Sequence, residues 1–159
     1  MNRLFYLISI CFVFWSCDNS RLFETNIDIV DNVWSLQQVP SFEYDNIDTI
    51  SEQRLLVNIR HSSAYPFSNL WLFIHTISPD NTHSVDTLEC LLAQDNGKWL
   101  GDGLGDIWDI QIMYDNRSFE QEGRYTFRVE QAMRHGDLSH IEYLPGIMEI
   151  GLRIEKTNY

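Results

Sequence analysis

From Val33 to the end of the chain, apolar residues recur at every second position in short runs. Turn-forming clusters break these runs at intervals of roughly ten to fifteen residues, the rhythm of a two-sheet β protein. No stretch keeps the 3.6-residue period that a long amphipathic helix needs. In "RLLVNIR", Leu55, Val57 and Ile59 share one face; in "RYTFRVEQ", Tyr125, Phe127 and Val129 face one way and Thr126, Arg128 and Glu130 the other. "DIWDIQIMY" aligns Trp108, Ile110, Ile112 and Tyr114, and "IMEIGLRIEK" aligns Met148, Ile150, Leu152 and Ile154. "LWLFIHTI" is apolar on nearly both faces, as a central strand is. "VWSLQQV" and "SVDTLECLL" supply further strands, and "SPDNTHS" is a turn cluster. The expectation is an all-β fold, an antiparallel β-sandwich of about seven to eight strands over residues 33–159. The composition of Glu130 to Arg134 is compatible with a short helical turn.

The N-terminus obeys other rules. "MNRLFYLISICFVFWSC" places Arg3 ahead of an uncharged apolar run from Leu4 to Trp15, then Ser16 and Cys17. A helix needs about 20 apolar residues to span a bilayer, so this run fits the core of a secretory signal better. A small residue directly before a cysteine is the cleavage context of a bacterial lipoprotein. Residues 1–16 therefore read as a lipoprotein signal peptide, with Cys17 as the lipid-attachment residue. More than one acyl chain is needed for stable membrane anchoring. The polar stretch that follows completes a tether, residues 17–32. Cys11 falls in the segment to be removed and Cys17 is consumed by lipid, which leaves Cys90 with no partner for a disulfide. Cys90 reads as a small buried apolar residue.

The net charge is -12, with lysine only at Lys98 and Lys156. Such a chain repels polyphosphate, which argues against nucleic acid as a partner. The stretch "GKWLGDGLGDIWD", residues 97–109, tests the same point. A phosphate-cradling loop needs glycines before its lysine, a Ser or Thr after it, and a helix to follow. Here Lys98 precedes Trp99 and a strand follows, so no nucleotide loop is present. Asp102, Asp106 and Asp109 are oxygen donors of the kind calcium takes, but the alternating acids and closing glutamate of an EF-hand are absent. The structural reading is that Gly101, Gly103 and Gly105 supply positive φ or close backbone approach, with Trp99, Leu100 and Trp108 capping the sandwich end. "HGDLSHIE" offers His135, Asp137, His140 and Glu142 as surface ligands by type, though no regular element puts its histidines on one face. Whether either set binds a metal stays open, and no cofactor is implied. No nucleophile elbow or paired acid is recognisable.

The loop "RHSSAYPFSNLW", Arg60 to Trp71, combines residue types favoured at protein contacts with others that plug a core end. Taken together, "IRHSSAYPFSNLWLFI", "DTLECLLAQDNGKWLGDGLGDIWD", "GRYTFRVEQAMR" and "LPGIMEIGLRIEK" resemble, in order, segments of the gliding motility lipoprotein GldH family of the Bacteroidota. "HGDLSHIEY" is a departure, longer than that family's pattern. The resemblance implies a lipid-anchored envelope protein tied to gliding and to type IX secretion, without catalytic residues. It supplies no ligand for the matching positions. Arg60, His61, Tyr65, Asn69, Lys98, Trp99 and Arg134 are the candidate interaction residues. Other envelope proteins are the expected partners and the periplasmic face of the outer membrane the expected location. The alternative is a glycan-binding module that stacks sugars on Trp34, Trp71, Trp99 or Trp108.

Overall fold

The computed structural model describes residues 20–157. They form an antiparallel β-sandwich. In chain order the strands are β1 (Arg21–Asp28), β2 (Val33–Ser35), β3 (Ser41–Asn46), β4 (Gln53–Ser62), β5 (Asn69–Ile77) and β6 (His83–Leu91). There follow β7 (Asp102–Leu104), β8 (Ile107–Arg117), β9 (Gly123–Gln131), β10 (Tyr143–Pro145) and β11 (Ile147–Lys156). One sheet runs β1-β11-β4-β8-β7, the other β3-β9-β5-β6, and β10 and β2 form a small ribbon. Every pairing is antiparallel.

The period-two pattern explains the core. Leu55, Val57 and Ile59 of β4 and Ile150, Leu152 and Ile154 of β11 are all buried, opposite Leu70, Leu72 and Ile74 of β5 and Tyr125, Phe127 and Val129 of β9. β5 lies inside its sheet between β9 and β6, where its near-continuous apolar sequence places it. Burying one such aliphatic or aromatic side chain contributes about 1.5–3 kcal/mol, so this alternation dominates the stability of the fold. One polar group set among these side chains is paired within itself. The Tyr44 hydroxyl donates to Gln53 Oε1 at 2.8 Å, and the Gln53 amide donates to Asn46 Oδ1 at 3.0 Å.

Several expectations are corrected. Residues 21–28, read as tether, form β1, which pairs along β11 from Arg21 to Asp28. Only Phe23 and Ile27 of this edge strand pack on the core, while Glu24 bonds Arg153 at 2.9 Å. A strand with so little inward apolar surface hides in a polar sequence. "VWSLQQV" is strand only at Val33–Ser35, after which the chain turns. β1, β3, β7 and β10 raise the number of strands above the expected range. The helical turn near Glu130 to Arg134 does not form. β9 runs to Gln131, the Ala132 amide donates to the Trp71 carbonyl, and the Met133 amide donates to Gln131 Oε1. At the start of β11 a bulge between Ile147 and Glu149 turns Ile147 into the core and leaves Met148 half-buried. Cys17 and the signal segment lie outside the described residues. Cys90 is buried as expected, and burial pushes its thiol up to about 12.

Candidate functional site

Loops within the segments singled out above meet at one end of the sandwich. There β4 runs out at His61 and Ser62, and the chain loops through Tyr65 and Phe67 into β5. The glycine loop from Gly97 to Gly105 returns over the same end, as does the turn at Gly146. His61 lies 4.7 Å from the Trp99 ring and 5.9 Å from Tyr65; Tyr65 lies 5.7 Å from Phe67, and Phe67 5.7 Å from His135. The result is a continuous aromatic row across the loop end. Backbone bonds tie the loops together. The Ser62 amide donates to the Gly146 carbonyl, the Ser63 amide to Asp106, the Leu92 and Ala93 amides to Ser68, and the Leu100 amide to Leu92.

The glycines serve close approach. Gly101 has φ +82, and a Cβ there would meet the Asp109 carbonyl oxygen at 2.2 Å. Gly103 lies under the Trp108 ring, 2.6 Å from where its Cβ would be. Gly105, at φ +63, makes the turn from β7 into β8 with open space around it. The loop is a tight strand connection, as its structural reading had it. Asp102 and Asp109 are register partners of β7 and β8, while the Asp106 carbonyl accepts from the Ser63 amide.

The interaction candidates differ in what their side chains do. His61 is fully buried and Tyr65 is 3% exposed, so neither presents a side chain to a partner. They are the floor of the loop end. His61 Nδ1 is 3.1 Å from the Ser62 carbonyl, and its Nε2 is buried without a hydrogen-bond partner. Burial holds the imidazole below its ordinary pKa, in the neutral form. The Tyr65 hydroxyl donates to the Asn69 carbonyl at 2.9 Å, and burial pushes its pKa up. Arg60 is committed within the chain. Its Nε donates to Asp109 Oδ1 at 2.7 Å, and Nη1 reaches Glu149 at 3.3 Å. The Asn69 amide donates to Glu89 at 2.7 Å. Trp99 is half-buried against His61. Lys98 and Arg134 remain exposed.

Two arrangements were not legible in the sequence, a groove beside Trp71 and a ladder of amides. Trp71 is 38% exposed and opens onto a groove of about 390 Å³ with Phe73, Thr87, Ala132 and Arg134. Trp34, by contrast, is fully buried, its indole N–H donating to the Gln38 carbonyl at 2.7 Å. On the opposite sheet an amide ladder crosses the outer face. Gln111 donates to Asn58 at 2.8 Å, and Asn58 donates to Asn26 and Glu24, each at 3.1 Å. Gly151 lies beneath it, and a Cβ there would strike Asn26 Oδ1 at 1.7 Å. Arg153 bonds both Glu24 and Glu155, which explains why "GLRIE" carries an arginine and a glutamate among core residues. These partners come from β1, β4 and β8, so only the pairing of strands reveals them.

Known proteins are similar to this chain in sequence. The GldH lipoprotein family matches residues 21–154. The gliding motility lipoprotein GldH homolog of Christiangramia forsetii is 36% identical over 98% of this chain and 96% of its own length. The gliding motility lipoprotein GldH of Flavobacterium johnsoniae is 32% identical over 96% of this chain and 95% of its own. Among solved structures, the infectious bursal disease virus VP2 subviral particle aligns at TM-score 0.38 and 17% identity. That alignment covers 87% of this chain and 34% of the viral one, and it is too distant to bear on fold or function. With family and relatives matched along nearly its whole length, the chain belongs to the GldH lipoprotein family.

Proposed function

We propose that this protein is a non-catalytic envelope lipoprotein, anchored through Cys17 to the periplasmic face of the outer membrane. Its loop end docks to other envelope proteins of a gliding assembly linked to type IX secretion. The observation that carries this reading is that loops from the segments resembling the family meet at one end of the sandwich. Its buried floor of His61 and Tyr65 fixes a rim from which Lys98 and Arg134 emerge. On a chain of net charge -12, exposed cations there suit an acidic partner surface and orient the approach. Charge reversal tests it. A Lys98→Glu, Arg134→Glu double variant, produced in the parent bacterium at wild-type level, is expected to lose gliding or type IX secretion. Full activity with both charges reversed would move the docking surface elsewhere.

A second reading has one observation in its favour. Trp71, Phe73 and Arg134 form an aromatic-plus-cation groove of a kind that stacks sugars. Of the tryptophans proposed for stacking, Trp34 is removed by its burial and Trp71 is the best placed. If a soluble glycan binds and Trp71→Ala abolishes it, the glycan module replaces the docking role.

A further inference from the structure

The outer face of the β3-β9-β5-β6 sheet carries a constellation that neither the family resemblance nor the loop end explains. His83 of β6, His75 of β5 and Glu130 of β9 lie on a diagonal across three neighbouring strands. Ile77 pairs with His83, His75 with Arg128, and Phe73 with Glu130. His75 Nδ1 is 3.2 Å from His83 Nε2, and His75 Nε2 is 3.2 Å from Glu130 Oε2. The two rings are nearly parallel, 13° apart, with centroids separated by 5.3 Å. The His75 side chain is 22% exposed and that of Glu130 37%, so the group is open to solvent.

Glu130 sets the tautomer. A carboxylate accepts, so His75 donates from Nε2 and carries a lone pair on Nδ1, facing His83. That is the carboxylate–histidine arrangement that orients metal-ligating imidazoles. The spacing also fits. With Zn–N bonds of about 2.05 Å and ligand angles between about 90° and 109°, two bound nitrogens lie roughly 2.9–3.4 Å apart. The observed 3.2 Å falls inside that window. We propose that His75 and His83 form a two-point site for an imidazole-preferring divalent transition metal ion such as Zn²⁺, with Glu130 as its supporting carboxylate.

Without metal, a His83 Nε2–H donates across the gap to His75 Nδ1. Metal binding needs that proton on His83 Nδ1 instead, a tautomer exchange through solvent that leaves the number of protons unchanged. Among the described residues no three His, Cys, Asp or Glu side chains converge on one point, so water completes the shell. One group opposes the ion. Arg128, the register partner of His75, is exposed on the same face.

The test is calorimetric titration of ZnCl₂ into the full chain in detergent. A long-range ¹H–¹⁵N imidazole spectrum of the wild type runs alongside and does not depend on any variant folding. The expected result is one site, with shifts at His75 Nδ1 and His83 Nε2. His75→Ala and His83→Ala each lose it, Glu130→Gln weakens it about tenfold, and Arg128→Gln tightens it about threefold. Binding that survives both histidine variants, binding that disappears with His135→Ala and His140→Ala, or no zinc-dependent shift at His75 and His83 would each overturn the proposal.

Discussion

Gly101 and Gly105 stand four positions apart in one loop, both at positive φ, and differ in a single respect. A Cβ on Gly101 would sit 2.2 Å from the Asp109 carbonyl oxygen, whereas nothing lies within 4 Å of one on Gly105. Alanine at either position meets the left-handed backbone penalty of about 1–2 kcal/mol, partly offset by about 0.5 kcal/mol from a stiffer unfolded chain. Gly101→Ala must also push β7 away from β8, and overpacking of this kind costs about 1–3 kcal/mol. The expected losses are therefore about 2–4 kcal/mol for Gly101→Ala and about 1 kcal/mol for Gly105→Ala. A domain of about 140 residues has an unfolding entropy near 0.3 kcal/mol per degree, so each kcal/mol lowers Tm by about 3 °C. Thermal unfolding followed by circular dichroism should give a drop of about 7–13 °C for Gly101→Ala and about 3 °C for Gly105→Ala. Equal shifts would refute the claim that the loop's glycines are there for interstrand contact.

Three more outcomes follow from buried groups. His61 is held neutral by burial, so below the ordinary imidazole pKa of about 6.5 the unfolded chain takes up a proton that the folded chain refuses. Its contribution is complete above that pH and is lost as pH falls toward the depressed folded value. His61→Phe should flatten the fall in stability between about pH 7.5 and 5.5 in urea titrations, and an unchanged slope would count against the neutral imidazole. Tyr65→Phe removes the bond to the Asn69 carbonyl and should cost about 1 kcal/mol in the same assay; no loss would mean that the bond does not stabilise the loop. The Cys90 thiol, pushed up to about 12 and buried, should resist iodoacetamide at pH 8 until the protein is unfolded. Labelling at the rate of a free thiol would contradict its placement.

What the sequence revealed tracks how each segment is stabilised. β4, β5, β9 and β11 were legible because their inward positions are filled by large apolar side chains at period two. β3 has the same alternation, but Ser41, Glu43 and Asp45 face outward and its third inward residue is Asn46. Acidic residues and asparagine are depleted in strands, so this segment gives a weak signal. Asn46 tolerates burial because its amide donates to the Gln121 carbonyl at 3.0 Å, a partner 75 positions away. Glu130 to Arg134 contains good helix formers, yet its backbone groups are taken by Trp71 and Gln131, so tertiary bonds override local propensity. Among the candidate residues, the types were informative and the direction of their side chains was not. Histidine and tyrosine suit a contact surface or a core end equally well, and only the crossing of the glycine loop over β4 buries His61 under Trp99.

Crosslinking in the parent bacterium tests whether this is a lipid-anchored docking protein. The tagged wild type and a Cys17→Ala variant would be recovered and their partners identified by mass spectrometry. Gliding or secretion components should be recovered with the wild type and lost when the anchor residue is removed. Recovery of monomer alone, or of the same partners without Cys17, would contradict it.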